Sequence, residues 1–325
     1  MLSRVTATLL LFLLTSGFSF AQKKKKNKKD VEPVTQTLEV LPDPPLAVQV
    51  ESSRLLFFVS PLSSKGLLTQ QAKEALSAIR RQARGATIVK LRAFVAGRGD
   101  ARRINSIVSE QFTDWKLPLP ALSILQIGSL PLEGAQVQIE GIAEDRKPVN
   151  LNGLAWHAGK LVTRPLGESG GVNAVLPLLL ESLAALDGDL LALTCFVSSL
   201  DNASDLDRAI NAKFPNAART LLQAQRATGS GLASCEGVAR RTIGEPDRLV
   251  LTGTIIGFGS GQNDIQLVAS RITRLLEANH AKILERKGYG VSRSLENYLG
   301  SICVVEGVGS NEASFALEAI GLQKF

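Results

Sequence analysis

The chain has 325 residues, room for two or three domains of about 100–200 residues each. Its 45% hydrophobic and 21% charged residues are globular values, which exclude collagen-like, coiled-coil and wholly disordered chains. The formal charge of +7 is local: Arg4 and the lysines at 23–26, 28 and 29 precede the first acid, Asp30, and from there on 30 cations face 30 anions. A neutral body with 12 Phe, two Trp and two Tyr offers neither the clustered cations nor the stacking rings that nucleic acids require, so no nucleic-acid partner is expected. His157 and His280 are the sole histidines, too few for a His-rich metal centre and a poor basis for a Ser-His-Asp triad. Cys195, Cys235 and Cys303 lie 40 and 68 residues apart, which fits no zinc-ligand spacing; neither a metal nor a cofactor is expected.

In chain order, residues 1–21 read as a signal peptide. Arg4 supplies the positive end, residues 5–20 an apolar run, and Ser19 and Ala21 the small residues before a cleavage site. The run is shorter than the ~20 residues of a membrane span, and the mature chain is expected outside the cytoplasm, in a periplasm or extracellular. Residues 22–44 form a basic, proline-containing linker. The run Lys23–Lys29 stays solvated, either as a spacer or as a contact to an anionic membrane surface.

Three units of similar pattern follow, at 45–147, 148–244 and a shortened 245–325. Each has an apolar strand (Leu55–Val59, Leu154–Trp156, Leu249–Thr252) and then an amphipathic helix. The helices are placed at Leu68–Arg84, across Leu176–Leu186, and after Asp264. Strands Thr87–Val95 and Leu190–Val197 come after the first two. Each unit closes on a related tetrad: Glu140-Gly141-Ile142-Ala143, Glu236-Gly237-Val238-Ala239 and Glu318-Ala319-Ile320-Gly321.

The segments Ile88-Val89-Lys90, Phe94-Val95, Ile104-Asn105, Leu130-Pro131 and Glu140–Ala143 resemble the reactive-intermediate deaminase family (Rid, YjgF-like, also called L-PSP endoribonucleases). The resemblance implies an α+β fold of three tandem chorismate-mutase-like domains forming an intramolecular pseudo-trimer, and hence a monomeric chain. It also implies hydrolysis of a small 2-imino acid to a 2-keto acid and ammonia. The family pattern Pro-Ala-Arg-(Ser/Thr), with a second arginine seven residues on and a glutamate seventeen on, is matched in the second unit by Arg219, Arg226 and Glu236. In the first unit Leu122 replaces the arginine, and in the third unit the segment Gly300-Ser301-Ile302-Cys303 has no arginine, although Cys303 matches a cysteine many family members carry there.

By that resemblance Arg219 would grip a substrate carboxylate through its planar fork, Glu236 would orient a water, and Asn211 would complete the site. The alternatives are a non-catalytic small-ligand-binding or scaffold protein, favoured by the loss of two of three arginines, and a ribonuclease, disfavoured by the neutral body. The residues taken singly have plainer readings. The three glutamates recur even where the arginine is lost, as a structural hydrogen-bonding position would. Arg226 reads as an ion-pair partner, His157 as a structural histidine, and Gly257–Gly261 as a turn without the lysine of a phosphate loop. Cys195 and Cys235 lie on two strands of one unit and could bridge in an oxidising compartment.

Overall fold

The computed structural model describes residues 40–97, 101–163, 189–201, 203–226, 232–295 and 302–323. The signal peptide, the lysine run and the expected helix ending at Leu186 lie outside these residues. The described strands are β1 (Ala47–Glu51), β2 (Leu55–Val59), β3 (Thr87–Ala96), β4 (Ala121–Ile127), β5 (Val137–Glu144), β6 (Leu154–Thr163), β7 (Asp189–Val197), β8 (Ala218–Gln223), β9 (Leu232–Arg240), β10 (Arg248–Thr252), β11 (Ile255–Gly257), β12 (Ala281–Gly290), β13 (Cys303–Val304) and β14 (Phe315–Gln323). The described α-helices are α1 (Leu68–Ala83), α2 (Ala101–Trp115), α3 (Ala203–Lys213) and α4 (Gln262–Ala278).

The helices form where apolar residues recur at helical spacing. In α1, Leu68, Ala72, Ala75, Leu76, Ile79 and Ala83 are buried, and the helix stops where Arg84 turns left-handed (φ 49°) before Gly85 (φ 90°). Helix α4 begins three residues after the glycine at 259, and the Gly261 N–H donates to Asp264 at 3.1 Å, so the acid satisfies a helix-start donor. Close packing of helix on sheet requires a glycine at 141, where a Cβ would lie 2.8 Å from the Ile79 side chain.

Three sheets carry these helices. Two are four-stranded, with orders β2-β5-β3-β4 and β6-β9-β7-β8; the third is six-stranded, β1-β10-β14-β12-β13 with β11 on β14. Each sheet pairs its long central strand antiparallel with the strand that bears a tetrad glutamate. The pairs β3/β5, β7/β9 and β12/β14 share one irregularity: a bulge between Ile88 and Lys90, between Leu190 and Ala192, and between Ile283 and Glu285. After each bulge the same alternation resumes. Arg92 faces Glu140, Thr194 faces Glu236, and Lys287 faces Glu318.

The expectation of three chorismate-mutase-like domains forming a pseudo-trimer is corrected here. Strand β1, first in the chain, hydrogen-bonds along its whole length to β10, so residues 47–51 belong to the sheet of the last unit. That sheet has extra strands β1 and β11, and at the position of the parallel edge strand of the four-stranded sheets it has β13, whose pairing with β12 among the described residues is Tyr289 with Cys303 and Gly290 with Val304. The core is shared as well. One apolar cluster joins Phe94, Leu125, Phe196, Leu222, Tyr289 and Ala316, and another joins Leu55, Leu154, Val238, Leu251 and Ile320, each drawing on all three sheets. Backbone pairing and burial therefore tie the segments into one unit spanning 41–325.

The thiols of Cys195 and Cys235, directly opposed on β7 and β9, form a disulfide, and Cys303 is free. Closing a 40-residue separation constrains the unfolded chain by about 4 kcal/mol. Replacing Cys195 and Cys235 with serine is expected to lower the urea midpoint, and wild-type protein in reductant should show the same shift; an unchanged midpoint in both would contradict this.

Candidate functional site

The inward faces of the three sheets are layered. Two residues beyond each of Arg92, Thr194 and Lys287 stand Phe94, Phe196 and Tyr289, whose rings meet with centroids 6.0 and 6.3 Å apart. A strand's period of two puts these pairs on one face, so the three central strands deliver a polar layer directly above an aromatic one.

In the polar layer the tetrad glutamates converge. The Arg92 guanidinium lies between them. Nε donates to Glu140 Oε2, Nη1 donates to Glu236 and to Tyr289 Oη, and Nη2 donates to Thr194 Oγ1 and lies 2.6 Å from Glu140 Oε2. Thr194 passes its own proton to Glu140 Oε1 at 2.5 Å, and Tyr289 donates to Glu318 Oε1 at 3.0 Å. Glu318 Oε2 accepts from Lys90 at 2.8 Å and from Ser123 at 2.6 Å; Lys90 also donates to the Thr252 carbonyl. Lys287 Nζ lies 3.0 Å from Glu236 Oε2.

A cyclic pattern underlies this list. The register-equivalent residues Arg92, Lys287 and Thr194 each reach the glutamate of a neighbouring sheet: Glu318 at 3.6 Å, Glu236 at 3.0 Å and Glu140 at 2.5 Å. With Lys90 on Glu318 as the third cation beside Arg92 and Lys287, three cations balance the three carboxylates Glu140, Glu236 and Glu318.

Burial raises the cost of every charge here, and the neighbours decide the outcome. Burial pushes Glu318 up, but Lys90, Arg92 and Lys287 outweigh it and hold the carboxyl far below the usual range. Glu236 is lowered in the same way, by Arg92 and Lys287 against burial. Burial pulls Lys90 below the ordinary lysine value, opposed by Glu318. Desolvation raises Tyr289 and Cys303 well above their usual values, so both stay protonated. Glu285, one bulge position before Lys287, is raised by burial, and its Oε1 has no partner among the described residues.

Above the polar layer lies a cavity with about 70 Å³ of space open to water. Its floor is Lys90, Arg92, Glu140, Thr194, Glu236, Lys287 and Glu318. Its walls are Phe57 and Trp156, edge to face at 5.9 Å, with Ile142, Val238, Leu251 and Ile320. Small residues open it: Ala192 of β7 occupies the register position that Lys90 fills on β3 and Glu285 on β12. The indole Nε1 of Trp156 is buried without a partner among the described residues.

The three sequence-derived site residues do not assemble. On the sheet, Leu193 pairs with Arg219 and with Gly237, whereas Thr194 pairs with Thr220 and with Glu236. Arg219 and Glu236 therefore project from opposite faces. The Arg219 Nη1 donates to the carbonyls of Phe214, Pro215 and Ala217, closing the end of α3, and its Nε lies 3.6 Å from Asp207. Asn211 is exposed on α3. Glu236 is in the cavity floor; Arg226 contacts Glu306 and the Gly128 carbonyl instead. Lys90, Arg92, Lys287 and Tyr289 were not singled out from sequence. Their signal was charge at alternating positions inside an apolar strand, as in Ile88-Val89-Lys90-Leu91-Arg92-Ala93-Phe94.

No family model and no curated protein matches the chain. Among solved structures it is similar to a chorismatase (15% identity, 57% of this chain and 75% of that one, TM-score 0.26). It is also similar to a cyanuric acid hydrolase described as an evolutionary innovation by structural concatenation (11% identity, 83% and 100%, TM-score 0.24) and to the cyanuric acid hydrolase of A. caulinodans (10% identity, 86% and 100%, TM-score 0.23). Likeness at these TM-scores carries no argument about fold or chemistry.

No family model and no curated protein supports membership of the reactive-intermediate deaminase family. The family assignment is corrected accordingly, and with it the tandem Rid-like copies and the imine hydrolase built on Arg219, Asn211 and Glu236. Short apolar strands ending in Glu-Gly-Ile-Ala report a two-sided sheet with an inward acid, which is a register and not a family.

Arg92→Met is expected to leave Glu140 and Glu236 without their shared cation and to cost about 3–5 kcal/mol in chemical denaturation. Arg92→Lys should rescue little, because three donors replace five. Because Glu236 and Glu318 are depressed in the folded state, their stabilisation is complete above the unfolded carboxyl value of about 4.3 and is lost as pH falls towards their folded values. Glu318→Gln should flatten the acid limb of stability against pH; an unaltered slope would refute that assignment.

Proposed function

We propose that the chain is a small-molecule-binding protein whose ligand is a compact carboxylate seated in the cavity between Phe57, Trp156 and the lysines of the floor. One observation carries this reading: the surplus of hydrogen-bond donors. The carboxylates of Glu140, Glu236 and Glu318 are each engaged at both oxygens, and the Arg92 guanidinium is enclosed by Glu140, Glu236, Thr194 and Tyr289. An ammonium has three donors. Lys287 uses one on Glu236 and Lys90 uses two, so both have N–H groups left for an incoming oxygen.

A ligand that accepts hydrogen bonds and carries a negative charge suits such a floor, since charge-assisted bonds to ammonium groups are the stronger kind. The apolar walls select its other end: a short branched or flat hydrocarbon body fits against the ring edges of Phe57 and Trp156. The depressed values of Glu236 and Glu318 keep them ionised and already partnered, so they position the lysines.

The test uses benzoate and isovalerate, with benzamide as the uncharged control. In a Trp115→Phe background, which leaves Trp156 as the sole indole, benzoate should change the emission and saturate at a Kd in the micromolar to millimolar range, roughly −8 to −4 kcal/mol. Lys287→Met should weaken it at least tenfold, and benzamide should bind more weakly than benzoate. An emission unaffected by either carboxylate, or an affinity indifferent to Lys287, would overturn the reading.

A further inference from the structure

A lysine is a fixed charge while protonated and a nucleophile once it gives up its proton, and burial moves it from the first state towards the second. Lys90 is 8% exposed and lines the cavity floor, at the register level that Ala192 leaves open on the second sheet. Its Nζ donates to the Thr252 carbonyl at 2.5 Å and to Glu318 Oε2 at 2.8 Å. These two bonds fix the nitrogen in place and leave its third position for a molecule in the cavity.

The surroundings shift Lys90 towards the free amine. Burial removes the water that stabilises the ammonium, and Arg92 and Lys287 repel it from the same floor. Glu318 opposes them, but its oxygens also accept from Ser123 at 2.6 Å and Tyr289 at 3.0 Å, and Arg92 lies 3.6 Å away. A carboxylate shared among four neighbours holds the Lys90 proton less firmly than a dedicated partner would. Burial prevails, and Lys90 lies below the ordinary lysine value. A desolvated lysine beside other cations is the setting in which an amine adds to a carbonyl.

We infer that Lys90 holds its ligand covalently, as a Schiff base with a compact carboxylate that also carries an aldehyde or ketone group. The inference rests on the carboxylate-binding cavity proposed above and divides the work between its two lysines. Lys287, paired with Glu236, takes the ligand carboxylate, and Lys90 takes the carbonyl carbon. The lone pair of the free amine forms the C–N bond, the carbonyl oxygen becomes a hydroxyl and leaves as water, and a protonated imine remains. Overall an ammonium and a carbonyl become an iminium and water: two of the three ammonium protons depart with the oxygen and one stays on nitrogen. The positive charge beside Glu318 is therefore kept, and the remaining N–H can still donate to that carboxylate.

The probe is 3-formylbenzoate, incubated with the wild-type chain and sodium cyanoborohydride, which reduces an imine to a stable secondary amine. Peptide mass spectrometry should find the adduct on Lys90 at least tenfold faster than on the exposed Lys65 or Lys282, and excess benzoate should suppress it. Benzaldehyde, which lacks the carboxylate, should label Lys90 at least tenfold more slowly. Lys90→Arg keeps a cation beside Glu318 and should remove the adduct from the cavity, its folding checked by melting temperature. The benzoate emission test separates the two readings. A chain that responds to benzoate but shows no preference for Lys90 overturns the Schiff base and leaves the ligand reading standing; one that responds to neither overturns both. An adduct on Lys287 in place of Lys90, or benzaldehyde reacting as fast as the acid, would also overturn the inference.

Discussion

Three carboxylates cannot be buried together unless something positive stands between them, and in this chain that is the guanidinium of Arg92. It touches Glu140 from its own sheet, Glu236 and Thr194 from the second, and Tyr289 from the third, with Glu318 at 3.6 Å. Removing two charges from water costs several kcal/mol each, and attraction repays this where every donor and lone pair is used. Such a cluster adds less to stability than its contacts suggest. What it supplies is position, because each ion pair or hydrogen bond across a sheet boundary is satisfied at one relative placement of the sheets.

The layers around it explain why the cluster survives burial. Directly below, Phe94, Phe196 and Tyr289 shield the charges from water, and the Tyr289 hydroxyl still links Arg92 to Glu318. Directly above, the apolar residues Leu251, Val238 and Ile320 stand round the cavity. The cavity itself arises from an imbalance. Sheets one and three fill the level above the ions with Lys90 and Glu285, and the second sheet offers Ala192. A missing side chain, and not an added loop, makes the space.

Much of the local structure was legible in the sequence. Leu55–Val59 and the span from Leu68 were read as strand and helix because apolar spacing reports burial directly, whatever lies opposite. The three glutamates were visible as a recurrence, and the argument that a position kept without its arginine serves structure pointed towards the network they form. The family pattern joins Arg219 and Glu236 through their spacing along the chain. Spacing along a chain does not include the face on which a strand displays a residue, and one step of parity sent Arg219 to the end of α3. The burial of Lys90 and Arg92 is not legible locally, because charged residues are expected in water and their burial depends on partners 48 to 228 residues away.

By itself the sequence determined the alternation of apolar and polar residues, the helix stops at Arg84-Gly85, the neutral body and the tetrads. All of these follow from interactions within a few residues. The tertiary structure alone decided that β1 joins the last sheet, that three glutamates meet at one guanidinium, and that Ala192 opens a cavity. Each of these depends on which strand hydrogen-bonds to which and in what register. That choice is made by the burial of faces from distant segments, a property that no window of local sequence contains.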